Sequence, residues 1–332
     1  MKNNNLIIIA EVGVNHNGNK KLLFKIINKV SQSSSDYIKF QLYKTENLVI
    51  KNSPKTNYQK KISLSQYDML KKYELKVGQC NQIINFCKKK KIKPLFSIFD
   101  NESLKIFKKL NQSIIKIPSG EINNFPLIKE IGKLNINIIL STGMSSLKEI
   151  ENCIKILLAN GTKKSKVSLL YCHSEYPSKI SDLDLTRIRN YKKKFNLTIG
   201  FSDHTNGHFA AVAAVALGAK IIEKHVTLNR QMKGPDHSSS LEISELPIFI
   251  NNLKNINAAC KTKSKLSKPE KNNLPIIRKS IYAKKNIKKG EKFTEENLIT
   301  LRPAKGLNPI DWNKIINRKA KKNFKKFSLI KI

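Results

Sequence analysis

The stretch GFSDHTNGHFAAVAAVALGAKIIEKHVTL, which runs from Gly200 to Leu228, decides the fold. A short apolar run precedes His204, another precedes His225, and an alanine-rich segment lies between them. The two histidines are 21 residues apart, enough for a strand end, one helix and the next strand. The stretch therefore predicts that both histidines lie at the same end of neighbouring parallel strands, roughly 5 Å apart.

The same alternation recurs along the whole chain. Amphipathic segments such as Lys20–Val30 and Leu147–Asn160 separate eight short β-rich runs. The runs are Leu6–Ala10, Tyr37–Phe40, Pro94–Phe99, Ile114–Ile117, Ile136–Leu140, Val167–Tyr171, Leu197–Phe201 and Ala219–Glu223. Eight such units predict an α/β fold, a (β/α)8 TIM barrel. A doubly wound open sheet is the alternative, but Glu11–Gly18 lacks the G-x-G-x-x-G spacing of its phosphate loop.

Polar side chains follow the predicted strands at the ends where barrel enzymes carry out their chemistry. They include Glu11, Lys39, Gln41, Ser97, Lys116, Ser119, Glu121, Ser141, Ser174, Ser202, His204, Glu223 and His225. Two imidazoles at this mouth can share a divalent metal ion and leave its other positions open to substrate. The alternative is two independent histidines, each hydrogen-bonded to the barrel rim.

The chain is strongly basic, with 63 Lys and Arg against 24 Asp and Glu in 332 residues, a net charge of +39. One interpretation is a nucleic-acid or anionic-lipid partner. The lysines, however, are spread along the chain instead of forming one basic face with interleaved aromatics, so we expect compositional drift and no nucleic-acid partner.

The five cysteines are odd in number and lack C-x-x-C spacing, which disfavours a disulfide framework and predicts a reducing cytoplasm. The N-terminal apolar run is shorter than a signal peptide needs, and the run Phe209–Ala219 is too short to cross a bilayer. We therefore expect a cytoplasmic protein with no membrane partner.

The last part of the chain predicts a second, smaller domain. Residues Cys260–Lys279 are polar and hold two prolines, which is typical of a linker. Beyond them, short apolar runs alternate with turns, and Thr294 is placed to begin a helix. We predict a barrel domain over 1–260, a linker over 261–278 and a small module over 279–332. In that module Arg302 has the fork geometry that suits phosphate or carboxylate.

Several motifs, in order and over nearly the whole chain, resemble one known family. They include AEVGVNHNG (Ala10–Gly18), KIPSGEINNFPLI (Lys116–Ile128), ILSTGMSS (Ile139–Ser146), GFSDHTNG (Gly200–Gly207), EKHVTL (Glu223–Leu228) and IKKGEKFTEENLITLRPAKG (Ile287–Gly306). They are similar to the N-acetylneuraminate (sialic acid) synthases and the legionaminic and pseudaminic acid synthases. The resemblance implies a TIM barrel followed by an antifreeze-like (SAF) domain.

The resemblance also implies a reaction and its cofactor. Members condense phosphoenolpyruvate with the aldehyde form of an N-acylated amino sugar and water, giving a nine-carbon 2-keto acid and phosphate. A divalent metal ion, manganese or magnesium, is implied at His204 and His225, which count with Glu11 and Glu121 as the implied catalytic residues. Arg302 matches an arginine that reaches the partner's barrel, which implies a domain-swapped homodimer.

The substrate ligands are likewise implied by motif. Those implied for phosphoenolpyruvate are Lys39, Ser97, Lys116, Ser119, Ser141, Ser174, Ser202 and Arg302. Those implied for the amino sugar are Gln41, Tyr176, Glu223 and Asp236. The chain departs from the family pattern at Ser174, where some members carry Asn, and around Ser97, where LFSIFD replaces the usual S-T-P-F.

The sugar is expected to be N-acetylmannosamine, with N-acetylneuraminate as the product. The alternative is the legionaminic acid precursor 2,4-diacetamido-2,4,6-trideoxymannose, followed by the pseudaminic acid precursor. The loop Asn47–Lys61 and the surroundings of Tyr176 are expected to set this choice. Two readings from other classes stay open at this point: a basic nucleic-acid-binding protein, and an inactive barrel that serves as a dimeric scaffold.

Overall fold

Eight parallel strands form where the β-rich runs occur, in a computed structural model that describes residues 6–60, 62–261 and 264–332. They are β1 (Ile7–Gly13), β2 (Tyr37–Leu42), β3 (Lys93–Ile98), β4 (Ile114–Ile117), β5 (Asn137–Ser141), β6 (Val167–Cys172), β7 (Thr198–Asp203) and β8 (Ile221–Thr227). Each strand pairs in parallel with the next, and β1 also pairs with β8, so the sheet closes. The predicted barrel is confirmed.

Helices connect the strands and cover the outside of the barrel. They are α1 (Lys20–Val30), α2 (Thr45–Leu48), α3 (Gln66–Tyr73), α4 (Val77–Lys89), α5 (Asn101–Lys109), α6 (Phe125–Gly132), α7 (Leu147–Ala159), α8 (Arg187–Phe195), α9 (Phe209–Ala216) and α10 (Leu246–Ala259). Local sequence starts several of them: at α7, for example, Ser146 and Glu149 form a reciprocal capping box. A two-residue strand, β9 (Leu241–Glu242), pairs with the end of β8.

The barrel core has two parts because successive strand residues point to opposite faces. Outward-facing residues such as Phe40 and Phe201 pack with the apolar faces of the helices in one large cluster. Inward-facing residues form a separate small cluster in the barrel axis, made of Ile9, Leu95, Ile114, Ile139, Leu170 and Ile221. The barrel is therefore filled at its centre, and only its carboxyl end is left for a site.

Six of the eight strands end further along the chain than the sequence predicts, and β1 and β8 differ most. Strand β1 continues to Gly13 and β8 to Thr227, so Glu11 and His225 lie within strands, not after them. The apolar runs end earlier because inward positions near the mouth carry polar side chains, while outward Val12 and Val226 remain fully buried. Hydrophobicity therefore marks where the core ends, and backbone pairing continues beyond it.

The chain divides into two compact units, Met1–Cys260 and Lys261–Ile332. The second holds α11 (Lys268–Ile277), β10 (Ser280–Ala283), β11 (Leu298–Leu301), which is antiparallel to β10, and α12 (Trp312–Ile315). The stretch predicted as a linker thus contains a helix, since Ser267 and Glu270 form a capping box at its start.

The helix predicted to begin at Thr294 does not form. The side chain of Asn297 instead accepts a hydrogen bond from the backbone N–H of Thr294 at 2.8 Å and closes a turn that leads into β11. Phe293 and Leu298, on either side of this turn, are both buried in the core of the second unit. That packing favours the turn over a helix.

Truncation of the axial cluster should destabilise the barrel. Leu170→Ala removes a fully buried side chain from the closed interior, so we expect the free energy of unfolding to fall by about 2–5 kcal/mol in urea denaturation. Ile248→Ala, on the exposed face of α10, is the control and should change it by less than about 0.5 kcal/mol. Equal effects would show that the axis is not tightly packed.

Candidate active site

The inward positions above the axial cluster are polar on seven of the eight strands, and β6 carries Cys172 there. Strand pairing places Glu11 beside Lys39 and His225, and Ser97 beside Lys116, at one level of the barrel. The two-residue period of each strand thus supplies an apolar floor first and a polar layer next. The sequence of most strands therefore contributes one residue to the floor and the next inward residue to the layer above it.

These polar residues line one central cavity of about 300 Å³. Its lining contains all the predicted site residues except Glu121, Asp236 and Arg302: Glu11, Lys39, Gln41, Ser97, Lys116, Ser119, Ser141, Ser174, Tyr176, Ser202, His204, Glu223 and His225. Residues from all eight strands or the loops that follow them therefore meet at the carboxyl end of the barrel, as predicted for a barrel enzyme.

Four buried charged side chains form a cluster at the base of the cavity. The Nζ atom of Lys39 lies 2.8 Å from Oε2 of Glu11 and 3.6 Å from Oε2 of Glu223. The Nζ atom of Lys116 lies 3.7 Å from the other oxygen of Glu223. All four residues are at most 4% exposed, so water contributes little to their solvation. Two lysines and two glutamates compensate one another there.

The surroundings move the pKa values of this cluster in different directions. Burial opposes the charge of Glu223, but Lys116 and Lys39 outweigh it and lower the pKa of Glu223 to about 2. Burial raises the pKa of Glu11, against the opposing charge of Lys39. Burial also lowers the pKa of Lys116, whereas for Lys39 the two glutamates overcome burial and raise the pKa. Glu223 is thus the carboxylate that stays ionised, and Glu11 takes up a proton more readily than Glu223 does.

Hydroxyl groups surround the two ammonium groups. Lys39 donates a hydrogen bond to Oγ of Ser97 at 3.0 Å, and Lys116 donates one to Oγ of Ser141 at 2.6 Å. Ser202 donates to Oε1 of Glu223 at 2.9 Å. Ammonium and hydroxyl donors that converge in a dry cavity bind phosphate and carboxylate groups well.

His204 and His225 lie next to each other in the lining of the cavity. Their ring centroids are 5.7 Å apart. Nδ1 of His204 lies 2.6 Å from the backbone oxygen of His173, which can only accept, so Nδ1 carries the proton. Nε2, which lies 3.2 Å from Oγ of Ser202, therefore keeps its lone pair. Burial lowers the pKa of His204 to about 4 and that of His225 well below its usual value. Both rings are therefore neutral, as metal ligands must be.

Asp236 lies behind His225, outside the cavity lining. Its Oδ2 is 3.8 Å from Nδ1 of His225, an atom that is buried and has no hydrogen-bond partner in the described part of the chain. Gly13 has a positive φ of +54°, and a Cβ there would lie 3.1 Å from both the His225 ring and the Asp236 carboxylate. The absence of a side chain at residue 13 therefore lets the imidazole and the carboxylate approach the strand end.

The two remaining predicted residues lie elsewhere. Glu121 follows β4 on a short 3-10 helix and accepts a hydrogen bond from Asn124 at 2.7 Å, outside the cavity lining. Arg302 directly follows β11 in the second unit. Within residues 6–60, 62–261 and 264–332, no three His, Cys, Asp or Glu residues group as metal ligands, so His204 and His225 stand as a pair.

Seven further residues line the cavity that the sequence analysis did not single out as site residues: Thr56, Tyr58, Phe99, Pro118, Gly120, Met144 and Cys172. Pro118, Gly120, Met144 and Cys172 are sequence neighbours of predicted residues, and this adjacency could have indicated them. Thr56 and Tyr58 belong to a long loop after β2, where no periodicity marks the residue that turns inward.

Known proteins match this chain over most of its length. Residues 26–265 match the NeuB family and residues 278–331 match the SAF domain. The N,N'-diacetyllegionaminic acid synthase of Campylobacter jejuni is 44% identical over 329 residues, which cover 98% of each chain. The pseudaminic acid synthase of the same organism is 33% identical, over 96% of this chain and 94% of that protein.

A solved structure agrees with these matches. The N-acetylneuraminic acid synthetase of Leptospira borgpetersenii, in complex with citrate, is 30% identical with a TM-score of 0.71, covering 81% of this chain and 90% of that one. The chain therefore belongs to the NeuB family and carries a C-terminal SAF domain. It is a condensing enzyme, a phosphoenolpyruvate-dependent transferase of nonulosonic acid biosynthesis.

No helix in the described part of the chain has the length and apolar character needed to cross a membrane.

Removal of the Glu223 charge should destabilise the fold far more than removal of a surface charge. In Glu223→Gln, two buried ammonium groups share one remaining carboxylate, so we expect the free energy of unfolding in urea to fall by roughly 3–5 kcal/mol. The control is Glu151→Gln, which breaks an exposed pair with Lys155 and should cost less than about 0.5 kcal/mol. A small loss in both variants would contradict the role assigned to the cluster.

Proposed function

We propose that this protein condenses phosphoenolpyruvate with 2,4-diacetamido-2,4,6-trideoxymannose to give N,N'-diacetyllegionaminic acid and phosphate. The observation that carries the proposal is the 44% identity, over nearly the full length of both chains, with a synthase named for that product. This reverses the order expected from the sequence, which puts N-acetylmannosamine first. The aromatic and apolar side chains of Phe99, Met144, Tyr58 and Tyr176 in the cavity wall support the reversal, because they suit acetamido and methyl groups better than hydroxyls.

The lysine and serine donors fit phosphoenolpyruvate. Lys39 and Lys116 supply two positive charges, and Ser97 and Ser141 lie within hydrogen-bond distance of them. Ser119 accepts a hydrogen bond from the backbone N–H of Gly143 at 2.9 Å, and its Oγ lies 3.2 Å from Sγ of Cys172, so both contacts hold its hydroxyl at the cavity wall. A phosphate and a carboxylate bound here would be held by charge-assisted hydrogen bonds from buried donors.

The proposed reaction makes one carbon–carbon bond, makes one carbon–oxygen bond from water to C2 and breaks the carbon–oxygen bond from C2 to phosphate. C3 of phosphoenolpyruvate attacks the sugar aldehyde, water adds to C2, and phosphate leaves with its bridging oxygen. Of the two protons of that water, one is accounted for at the hydroxyl formed from the aldehyde and the other on the released phosphate. The aldehyde oxygen takes up a proton and becomes a hydroxyl. Glu11, whose pKa burial raises and whose Oε1 lies 3.4 Å from Nε2 of Gln41, is placed to hold that proton. The ionised Glu223 keeps both lysines in position.

His204 and His225 would hold the divalent ion that the family resemblance implies. The fit rests on two neutral imidazoles, one with its proton fixed by the His173 carbonyl, and on the otherwise unpaired Nδ1 of His225 beside Asp236. A bound manganese or magnesium ion would supply Lewis-acid polarisation of the aldehyde oxygen. The implied dimer, in which Arg302 reaches a partner's site, remains a proposal that rests on the resemblance alone.

Phosphate release tests the proposed function. Chelator-stripped protein is mixed with phosphoenolpyruvate and either amino sugar, with and without manganese. We expect release that depends on manganese and is faster with the diacetamido sugar. His225→Ala should abolish it, and His208→Ala, a histidine outside the cavity lining, should not. A folded wild-type protein that releases no phosphate with either sugar would refute the assignment, and a preference for N-acetylmannosamine would restore the order expected from the sequence.

Gly13→Ala should weaken metal binding without a change in any proposed ligand. The new methyl group would press on the His225 ring and the Asp236 carboxylate, and the positive φ would add strain. We expect manganese affinity, measured by electron paramagnetic resonance titration, to fall about tenfold. Gly78→Ala, on α4 with open space around its Cβ position, should bind manganese like the wild type. Unchanged affinity in Gly13→Ala would argue against His225 as a ligand.

A further inference from the structure

An aromatic pair closes the histidine side of the central cavity. The ring of Tyr176 stacks on His204 with centroids 4.1 Å apart, and the ring of Tyr58 lies 5.0 Å from that of Tyr176. Tyr176 belongs to a motif shared with known synthases, whereas Tyr58 lies in none of the motifs that carry the resemblance. The two rings together form an aromatic face on the wall beside the candidate metal ligands.

The loop that carries Tyr58 is held in place by its own side chains. Nε2 of Gln59 donates a hydrogen bond to the Tyr58 hydroxyl at 3.1 Å, and Oγ1 of Thr56 donates to Oε1 of Gln59 at 2.9 Å. Lys55 donates to the backbone oxygen of Leu64 at 3.0 Å. The Gln59 side chain is buried, so the tyrosine ring is positioned before any ligand arrives.

Two clefts lead outward from the central cavity. One, of about 660 Å³, passes Tyr58 and Tyr176 and is also lined by Lys55, Asn57 and Glu175. The other, of about 490 Å³, is lined by Met144 and Cys172, and Ser174 lines both clefts. Cys172 lies 3.2 Å from Ser119, so this second cleft adjoins the donors assigned to phosphoenolpyruvate. The cleft lined by Tyr58 and Tyr176 adjoins the candidate metal ligands, because Tyr176 stacks on His204.

This geometry orients the acceptor sugar. Its C1 aldehyde must lie near His204 and His225 to meet C3 of phosphoenolpyruvate, which the lysines hold. The rest of the sugar, from C4 to C6, must then leave along the cleft on the histidine side, past Tyr176 and Tyr58. In the diacetamido sugar this end carries an acetamido group at C4 and a methyl group at C6, whereas N-acetylmannosamine carries hydroxyls there.

We propose that Tyr58 is a specificity-determining residue that packs its ring against the C4 acetamido and C6 methyl groups of the acceptor sugar. This inference rests on the proposed function and names the contact that selects the sugar. An aromatic face stabilises the methyl groups of the acetamido and C6 substituents by area and dispersion, but its ring cannot replace the hydrogen bonds that hydroxyl groups at C4 and C6 lose with their water. The same ring therefore favours the diacetamido sugar and disfavours N-acetylmannosamine.

Steady-state kinetics of Tyr58→Ala and Tyr58→Leu in the full chain test the proposal. We expect the ratio of kcat/KM for the diacetamido sugar to that for N-acetylmannosamine to fall about tenfold in Tyr58→Ala and about threefold in Tyr58→Leu. The KM for phosphoenolpyruvate should stay within about twofold, since Lys39, Lys116, Ser97 and Ser141 do not line the cleft that passes Tyr58. Tyr67→Ala, a matched change outside the cavity lining, should keep the wild-type ratio.

The possible results distinguish failure of the role of Tyr58 from failure of the proposed function. Circular dichroism establishes folding, and the leucine variant decides the matter if the alanine variant does not fold. A wild type that prefers the diacetamido sugar, with variants that keep that preference or lose both activities equally, would overturn the role of Tyr58 and leave the proposed function standing. A wild type that turns over neither sugar would overturn both.

Discussion

Burial of four charges at the carboxyl end of the barrel is the constraint on which the site depends. Lys39, Lys116, Glu11 and Glu223 are nearly inaccessible to water, so each must be compensated by the others. This fixes their positions before substrate arrives and keeps Glu223 ionised, while burial raises the pKa of Glu11. An anionic substrate that enters can take over the lysine contacts without any rearrangement of the backbone.

The closed parallel sheet makes this cluster available. Each strand alternates between the helix layer and the barrel axis, so a single register gives both the apolar floor, such as Ile9 and Leu170, and the polar layer above it. The buried charges stand on a close-packed base with no edge through which water could enter. Stability and binding therefore rest on the same strands, and a change in register would destroy both.

Strands and loops divide the chemistry between them. The strands hold the lysines, glutamates and His225, whose positions have little freedom, while the loop after β2 supplies the half-buried Tyr58. A rigid base that carries separate loops allows a loop to change while the base is kept. The division also explains why residue motifs identify the family over the whole chain but leave the sugar to side chains that no motif contains.

The sequence by itself determined the eight strands, the barrel and most of the cavity lining, because a two-residue period and the order of strands and helices are local properties. It placed His204 and His225 together for the same reason. Only the tertiary structure decided that one carboxylate, Glu223, lies between two lysines, and that Tyr58 meets Tyr176. Those contacts join residues far apart in the chain through loops and side-chain directions, which depend on how the closed barrel packs and leave no periodic signal in the sequence.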